Sequence, residues 1–291
     1  KTLLALALSM FVLIFWQTVV IKPQRVYNQE VMIKTTPETV SQKTLAVPQG
    51  LTDETAQIEQ GLVSFENDKL KLEFVNPGAK ISQGIYFKDY RLISEIGHCL
   101  FNKEFENQNY TFQKSNGVLT FNAGENGHFI TKKIDFSKDY LFNIKVVYEN
   151  KTSTDWTFSN TFVLNTVSKD SKQSESSLFE VVFFEEGSTL RKNPLKIKEK
   201  FLRSEVVNAL GFRDRYACII VKPADLTKGS AYIGKSNGSI EVGLAQDNVI
   251  VAAGGRLSYE YTVYCGPQQH NILKGIGLGF EDIVYFGSFD I

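Results

Sequence analysis

From residue 61 onward, apolar and polar residues alternate in short runs. "LVSFEND" and "KLKLEFVNPG" switch polarity at almost every position, and Asn67-Asp68 and Asn76-Pro77-Gly78 fall where turns belong. A period of two predicts a hairpin whose strands each bury one face. Similar runs follow at 110–113, 118–122, 129–136, 140–149, 157–164, 178–184, 216–221, 230–233, 240–244 and 257–264, many of them rich in Val, Ile, Phe, Tyr and Thr. No helical period of similar strength competes with them. So many short strands between turn signals predict a mainly β fold, a large antiparallel β-sandwich over 61–267.

The pattern fails at both ends. Residues 2–21 are apolar or uncharged throughout, and about 20 residues of helix span roughly 30 Å, the thickness of a bilayer core. A cleaved signal peptide has a shorter apolar core, about 7–15 residues, and small residues at its cleavage site, where this chain has Trp16-Gln17-Thr18-Val19-Val20-Ile21. Residues 1–21 are therefore expected to form an uncleaved transmembrane helix, with Leu3, Leu4, Phe11, Phe15 and Trp16 among its anchoring residues. Lys1 before the span and Lys22 and Arg25 after it leave its orientation open. Residues 22–60 are polar, with scattered prolines, and read as a flexible linker that cannot offset its own ordering entropy.

Beyond Pro267 the spacing of Ile272, Leu273, Ile276 and Phe280 approaches one helical face, while Gly275, Gly277 and Gly279 each weaken a helix by about 1 kcal/mol relative to Ala. A short, imperfect helix is predicted within 268–291. Residues 283–289 are too apolar for a free tail and too short to cross a bilayer.

Composition narrows the function. Thirty-two basic residues balance thirty-two acidic ones, so no global field recruits nucleic acid. Three cysteines and three histidines are scattered without metal-site spacing. Glu185-Glu186 and His98-Cys99 are adjacent pairs, and neighbours on a strand face opposite ways, which argues against catalytic pairing. Gly254-Gly255 precedes a strand rather than a helix, so it reads as a turn and not a phosphate loop. Asn109, Asn150 and Asn237 head glycosylation-like triplets, and 211–223 reads as a buried strand with flanking charges. No catalytic, metal-binding or cofactor-binding residue is expected, and no enzyme activity.

Three stretches, taken with the order of parts, resemble the N-terminal region of the Gram-negative YidC membrane protein insertases. They are "LVSFENDKLKLEFVNPGAKISQGIYFKDY" at 62–90, "GFRDRYACIIVKP" at 211–223 and "YTVYCGPQQHNIL" at 261–273, the last matching a family strand that ends Tyr-x-Gly-Pro and leads into a Leu-containing helix. The resemblance implies a periplasmic β-supersandwich of galactose mutarotase-like shape, a cytoplasmic N-terminus, and a location in the bacterial inner membrane. It further implies a five-span insertase core beyond 268–291 that would shield polar segments entering lipid. The implied partners are nascent membrane proteins, the Sec translocon with its accessory subunits, and the lipid bilayer. At the domain-to-core junction, Tyr264, Gly266 and Pro267 would fix the exit of the last strand. Leu273, Ile276 and Phe280 would pack the helix on the sandwich, and Tyr285, Phe286 and Phe289 would lie at the membrane interface. Cys265 departs from the family pattern. The alternative is an anchored periplasmic carbohydrate-binding or carbohydrate-modifying protein.

Overall fold

The computed structural model describes residues 54–56, 62–82, 85–87, 91–92, 96–168, 178–203, 207–225, 229–236 and 238–284. All of them belong to the unit Leu51–Ile291. The predicted anchor, with Leu3, Leu4, Phe11, Phe15 and Trp16, lies outside the described residues. Of the predicted linker only one stretch is described, and Glu54–Ala56 is a strand there, because it finds a partner in the edge of a sheet.

In chain order the strands are β1 (Glu54–Ala56), β2 (Leu62–Glu66), β3 (Leu70–Val75), β4 (Lys80–Ile81), β5 (Ile85–Phe87), β6 (Arg91–Leu92) and β7 (Ile96–Asn102). Next come β8 (Thr111–Ser115), β9 (Val118–Glu125), β10 (His128–Lys138), β11 (Leu141–Asn150), β12 (Trp156–Ser168), β13 (Glu180–Glu185) and β14 (Ser188–Lys192). The last are β15 (Phe201–Arg203), β16 (Ala209–Arg213), β17 (Ala217–Pro223), β18 (Ser230–Ser236), β19 (Ser239–Val251) and β20 (Arg256–Pro267), followed by a helix, α1 (His270–Ile276).

These strands form two antiparallel sheets of ten. The first runs β1-β8-β9-β10-β11-β20-β17-β16-β13-β14; the second runs β15-β18-β19-β12-β7-β4-β3-β5-β6, with β2 paired to β3. The expected sandwich is therefore the observed one. Alternation builds it: in β11, Phe142, Ile144, Val146 and Tyr148 are buried while Asn143 and Lys145 are exposed or partly so. Asn116-Gly117 and Asn126-Gly127 turn β8 into β9 and β9 into β10, with positive φ at both residues of each pair, the geometry that suits the twist of a two-residue hairpin.

Polar ties cross between the sheets, among them those of Tyr148 and Lys132. The Tyr148 hydroxyl, on β11, donates to Asn160 Oδ1 on β12 at 2.6 Å and accepts from Asn102 Nδ2 on β7 at 2.8 Å. Lys132, on β10, is buried and donates from Nζ to the Ala79 carbonyl at 3.0 Å and to the Leu100 carbonyl. Burial pushes its amine down to about 7.

Three neighbouring strands, two of them overlapping the predicted runs 178–184 and 216–221, depart from simple alternation. β16 and β13 are buried on both faces, as is β17, whose interior reads as a nearly continuous apolar run. A strand covered on both sides has no polar alternation to reveal it. What covers the second face is the C-terminal segment.

Candidate functional site at the C-terminal junction

The outer face of the first sheet divides into two halves. On β10 and β11 it presents Lys133, Asp135 and Lys145 to solvent. On β13, β16, β17 and the end of β20 it presents Val182, Phe184, Ala209, Cys218, Ile220 and Tyr264, all buried. Over this apolar half lie Leu273, Phe280 and Ile283, each 0% exposed. Together they form a second apolar cluster, separate from the one between the sheets, with Ile272, Ile276 and Val284 packed half-buried around it.

The exit from β20 is set by its last residues. Pro267 is the final strand residue and pairs with Ala217. Its carbonyl accepts from the Tyr264 hydroxyl at 2.8 Å. Gly266 lies under two rings, and a Cβ there would come within 2.5 Å of the Tyr264 hydroxyl oxygen and 2.9 Å of Tyr140 Cγ. Gly266→Ala is therefore expected to cost about 1–3 kcal/mol through overpacking, read as a lower urea midpoint with an unchanged slope. A midpoint equal to that of the parent would show that the rings move aside freely.

Gln268 then clamps the chain: its Nε2 donates to the Asp214 and Ala217 carbonyls at 2.6 and 3.0 Å, and its Oε1 accepts from Arg213 at 2.9 Å. α1 follows. The single helix expected through Phe280 is instead α1 plus a separate 3-10 turn at Phe280–Ile283. Gly277 and Gly279 adopt left-handed backbone, φ 74° and 76°, and so end one element and begin the next. This break lets both Leu273 and Phe280 face the sheet. The Phe280 ring meets Phe184 edge-on at 6.2 Å between centroids.

Arg191 secures the far end by donating to the Asp282 and Ile283 carbonyls, the latter at 3.1 Å. Its guanidinium also meets Glu180 at 3.4 Å, and Glu180 accepts from Arg213 at 2.7 Å. Beside α1 a groove of about 480 Å³ is lined by Asp139, Tyr140, Leu141, Tyr264, Ile272, Gly275 and Ile276. The structure thus brings Tyr264, Gly266, Pro267, Leu273, Ile276 and Phe280 together. Tyr285, Phe286 and Phe289 lie outside the described residues. Arg191, Glu180, Gln268 and Ile283 belong to the same junction; the apolar run that starts at Ile283 is a signal for it, and pairwise spacing in the chain carries none for the other three. Cys265, next to Gly266, points into the main core, where burial raises its thiol well above the ordinary range.

The remaining candidates are absorbed by structure. Glu185 accepts from Arg203 at 2.8 Å, and Glu186 stands exposed in a turn. The Cys99 thiol is pushed up to about 12 by burial, which keeps it protonated and poorly nucleophilic. Asn150 is buried, its amide donating to the Thr154 and Val251 carbonyls at 2.8 and 3.0 Å, so its side chain cannot accept a glycan. Gly254 and Gly255 form a turn before β20, as expected. Among the described residues no cluster of three metal-binding side chains occurs, and no helix is long and apolar enough to cross a membrane.

A twisted two-sheet body with a helical segment on one outer face defines a β-supersandwich of the galactose mutarotase type. Solved structures share that shape. A galactose mutarotase-like protein from Lactobacillus casei ATCC 334 superposes with a TM-score of 0.52 at 12% identity, covering 70% of this chain and 100% of its own. A galactose mutarotase related enzyme from Lactobacillus acidophilus gives 0.52 at 10% identity, covering 70% and 97%. At such identities the likeness is one of fold. Among curated proteins, none matches the chain. The family model for the YidC periplasmic domain matches residues 82–291, and the chain belongs to that family. It carries the periplasmic domain of a YidC-type insertase, and the family places that domain on the periplasmic side of the inner membrane.

Proposed function

We propose that this domain is a non-enzymatic docking body of the insertase. It holds the chain that leads toward the membrane in a fixed position, and it supports insertion and folding of inner-membrane proteins both alone and together with the Sec translocon. The observation that carries this reading is the second apolar cluster, which spends the sheet's outer face on the C-terminal segment. Burying Leu273, Phe280 and Ile283 contributes about 1.5–3 kcal/mol each, enough to keep the segment seated against thermal fraying. The solvent side of α1, with Asn271, Lys274 and Gly275 exposed, remains for a partner. In this reading the N-terminus is cytoplasmic, residues 1–21 anchor the chain, and Tyr285, Phe286 and Phe289 approach the interface.

Photo-crosslinking in cells tests it. A crosslinking amino acid at Asn271 or Lys274 is expected to capture Sec subunits, and one at Lys133, on the polar half of the same sheet face, is not. Equal capture at all three positions, or at none while insertion proceeds, would remove Sec cooperation from the reading.

A further inference from the structure

Among the described residues, Leu178, Leu202, Tyr216 and Ile250 are large apolar side chains that stand out into solvent. Two of them share one end of the first sheet. Glu180 pairs with Arg213, so Leu178, two residues before Glu180, overhangs the same end as Arg215 and Tyr216, just after Arg213. Pro267, paired with Ala217, is there too.

The loop that carries Tyr216 is rigid. The Asp214 carboxylate accepts from the backbone amides of Tyr216 and Ala217 at 2.7 and 2.8 Å. Gln268 donates its backbone amide to the Tyr216 carbonyl at 2.9 Å, in addition to its side-chain clamp on the same loop. Tyr216 is thereby held 64% exposed and Leu178 stands 41% exposed. The exposed Arg215 guanidinium lies 5.4 Å from the Tyr216 ring centroid.

The C-terminal segment runs to this end as well. Phe280 meets Phe184, deep along β13, whereas the Asp282 and Ile283 carbonyls reach Arg191, which contacts Glu180 at the start of β13. A phenol with an apolar body and a polar tip, a leucine and a guanidinium are the side chains that a bilayer interface favours, the ring and leucine among acyl chains and the cation at phosphate. Their placement beside the chain that heads for Tyr285 and Phe286 supplies the orientation.

We propose that this end of the domain rests on the periplasmic surface of the bilayer, with Tyr216 and Leu178 entering the interface and Arg215 contacting lipid phosphate. The inference rests on the reading of the domain as standing on the inner membrane. Its test uses the full 291-residue chain reconstituted into vesicles of phosphatidylethanolamine and phosphatidylglycerol. The native cysteines Cys99, Cys218 and Cys265 are buried, so an environment-sensitive fluorophore will label Tyr216→Cys, Leu178→Cys or Ile250→Cys selectively. Ile250 is the control. It is 59% exposed but sits beside Val251, which bonds Asn150 near the start of β20, and the 12 residues of that strand put it roughly 35–40 Å from the Pro267 end.

Labels at 216 and 178 are expected to shift to the blue and to be quenched by lipids brominated on their acyl chains, while the label at 250 is not. A blue shift without bromine quenching would mean a protein contact and overturn the proposal, as would equal quenching at 250. Flotation with the vesicles reports separately on membrane attachment. A chain that floats with labels 216 and 178 fully in water keeps the underlying reading and loses this inference; a chain that does not float loses both.

Discussion

Phe280→Ala is expected to destabilise the domain by about 3–5 kcal/mol, because it removes a fully buried ring and leaves a cavity against Phe184 that a seven-residue helix and a 3-10 turn cannot close. Overpacked or emptied sites in the main core would lower global stability in the same way, so the distinguishing readout is local. Amide exchange in 270–284 should accelerate far more than in β10 or β11, since the segment is held mainly by the second cluster and by Arg191. Lys274→Ala, on the exposed side of α1, should stay within about 0.5 kcal/mol of the parent. If Phe280→Ala raised exchange evenly across both sheets, the segment would be part of the sandwich's own cooperative unit rather than a docked addition. The proposed docking role would then lose its structural basis.

The second large effect is on pH dependence. Lys132 is buried with its amine near 7, against 10.5 for an ordinary lysine. Between those values the unfolded chain carries a proton that the folded chain does not, so stability rises with pH, by about 1.4 kcal/mol per unit if this group acts alone. Below pH 7 both states are protonated and the full cost of burying the charge is present. Above about 9 the buried thiols act oppositely: Cys99, Cys218 and Cys265 ionise first in the unfolded chain, and stability falls again. The window for Lys132 is therefore pH 7 to about 9. Urea unfolding across it should show a rising midpoint in the parent and a nearly flat one in Lys132→Met. At pH 9 the variant should also be the less stable, by about 1–3 kcal/mol for each of the Ala79 and Leu100 carbonyls left without a donor. Parallel slopes in the two proteins would show that Lys132 does not set the pH dependence.

The buried lysine also shows where pattern reading ends. In "HFITKKIDF" the alternation places Ile130, Lys132 and Ile134 on one face, so a strict reading puts a charge in the core. Only the second sheet explains it, because two carbonyls whose residues, Ala79 and Leu100, have positive φ are turned toward the amine. Asn150 is a parallel case: a glycosylation-like triplet in one dimension, and a buried hub between β11 and the turn before β20 in three.

By itself the amino-acid sequence determined that the body is an antiparallel β-sandwich. Side chains alternate with a period of two wherever one strand face is wet, and Asn-Gly pairs close the turns. The order of parts and the stretches at 62–90, 211–223 and 261–273 suggested the family. Tertiary structure alone decided the rest of the junction. Whether Val182, Phe184, Ala209 and Ile220 face water or a second core depends on residues some 50 to 100 positions later in the chain, Leu273, Phe280 and Ile283, folding back over them. Whether α1 runs on to Phe280 depended on two glycines taking up left-handed backbone so that both apolar side chains could reach one sheet. Local periodicity reports which face of a strand avoids water; what covers that face is settled by contacts between distant segments, which leave no period in the chain.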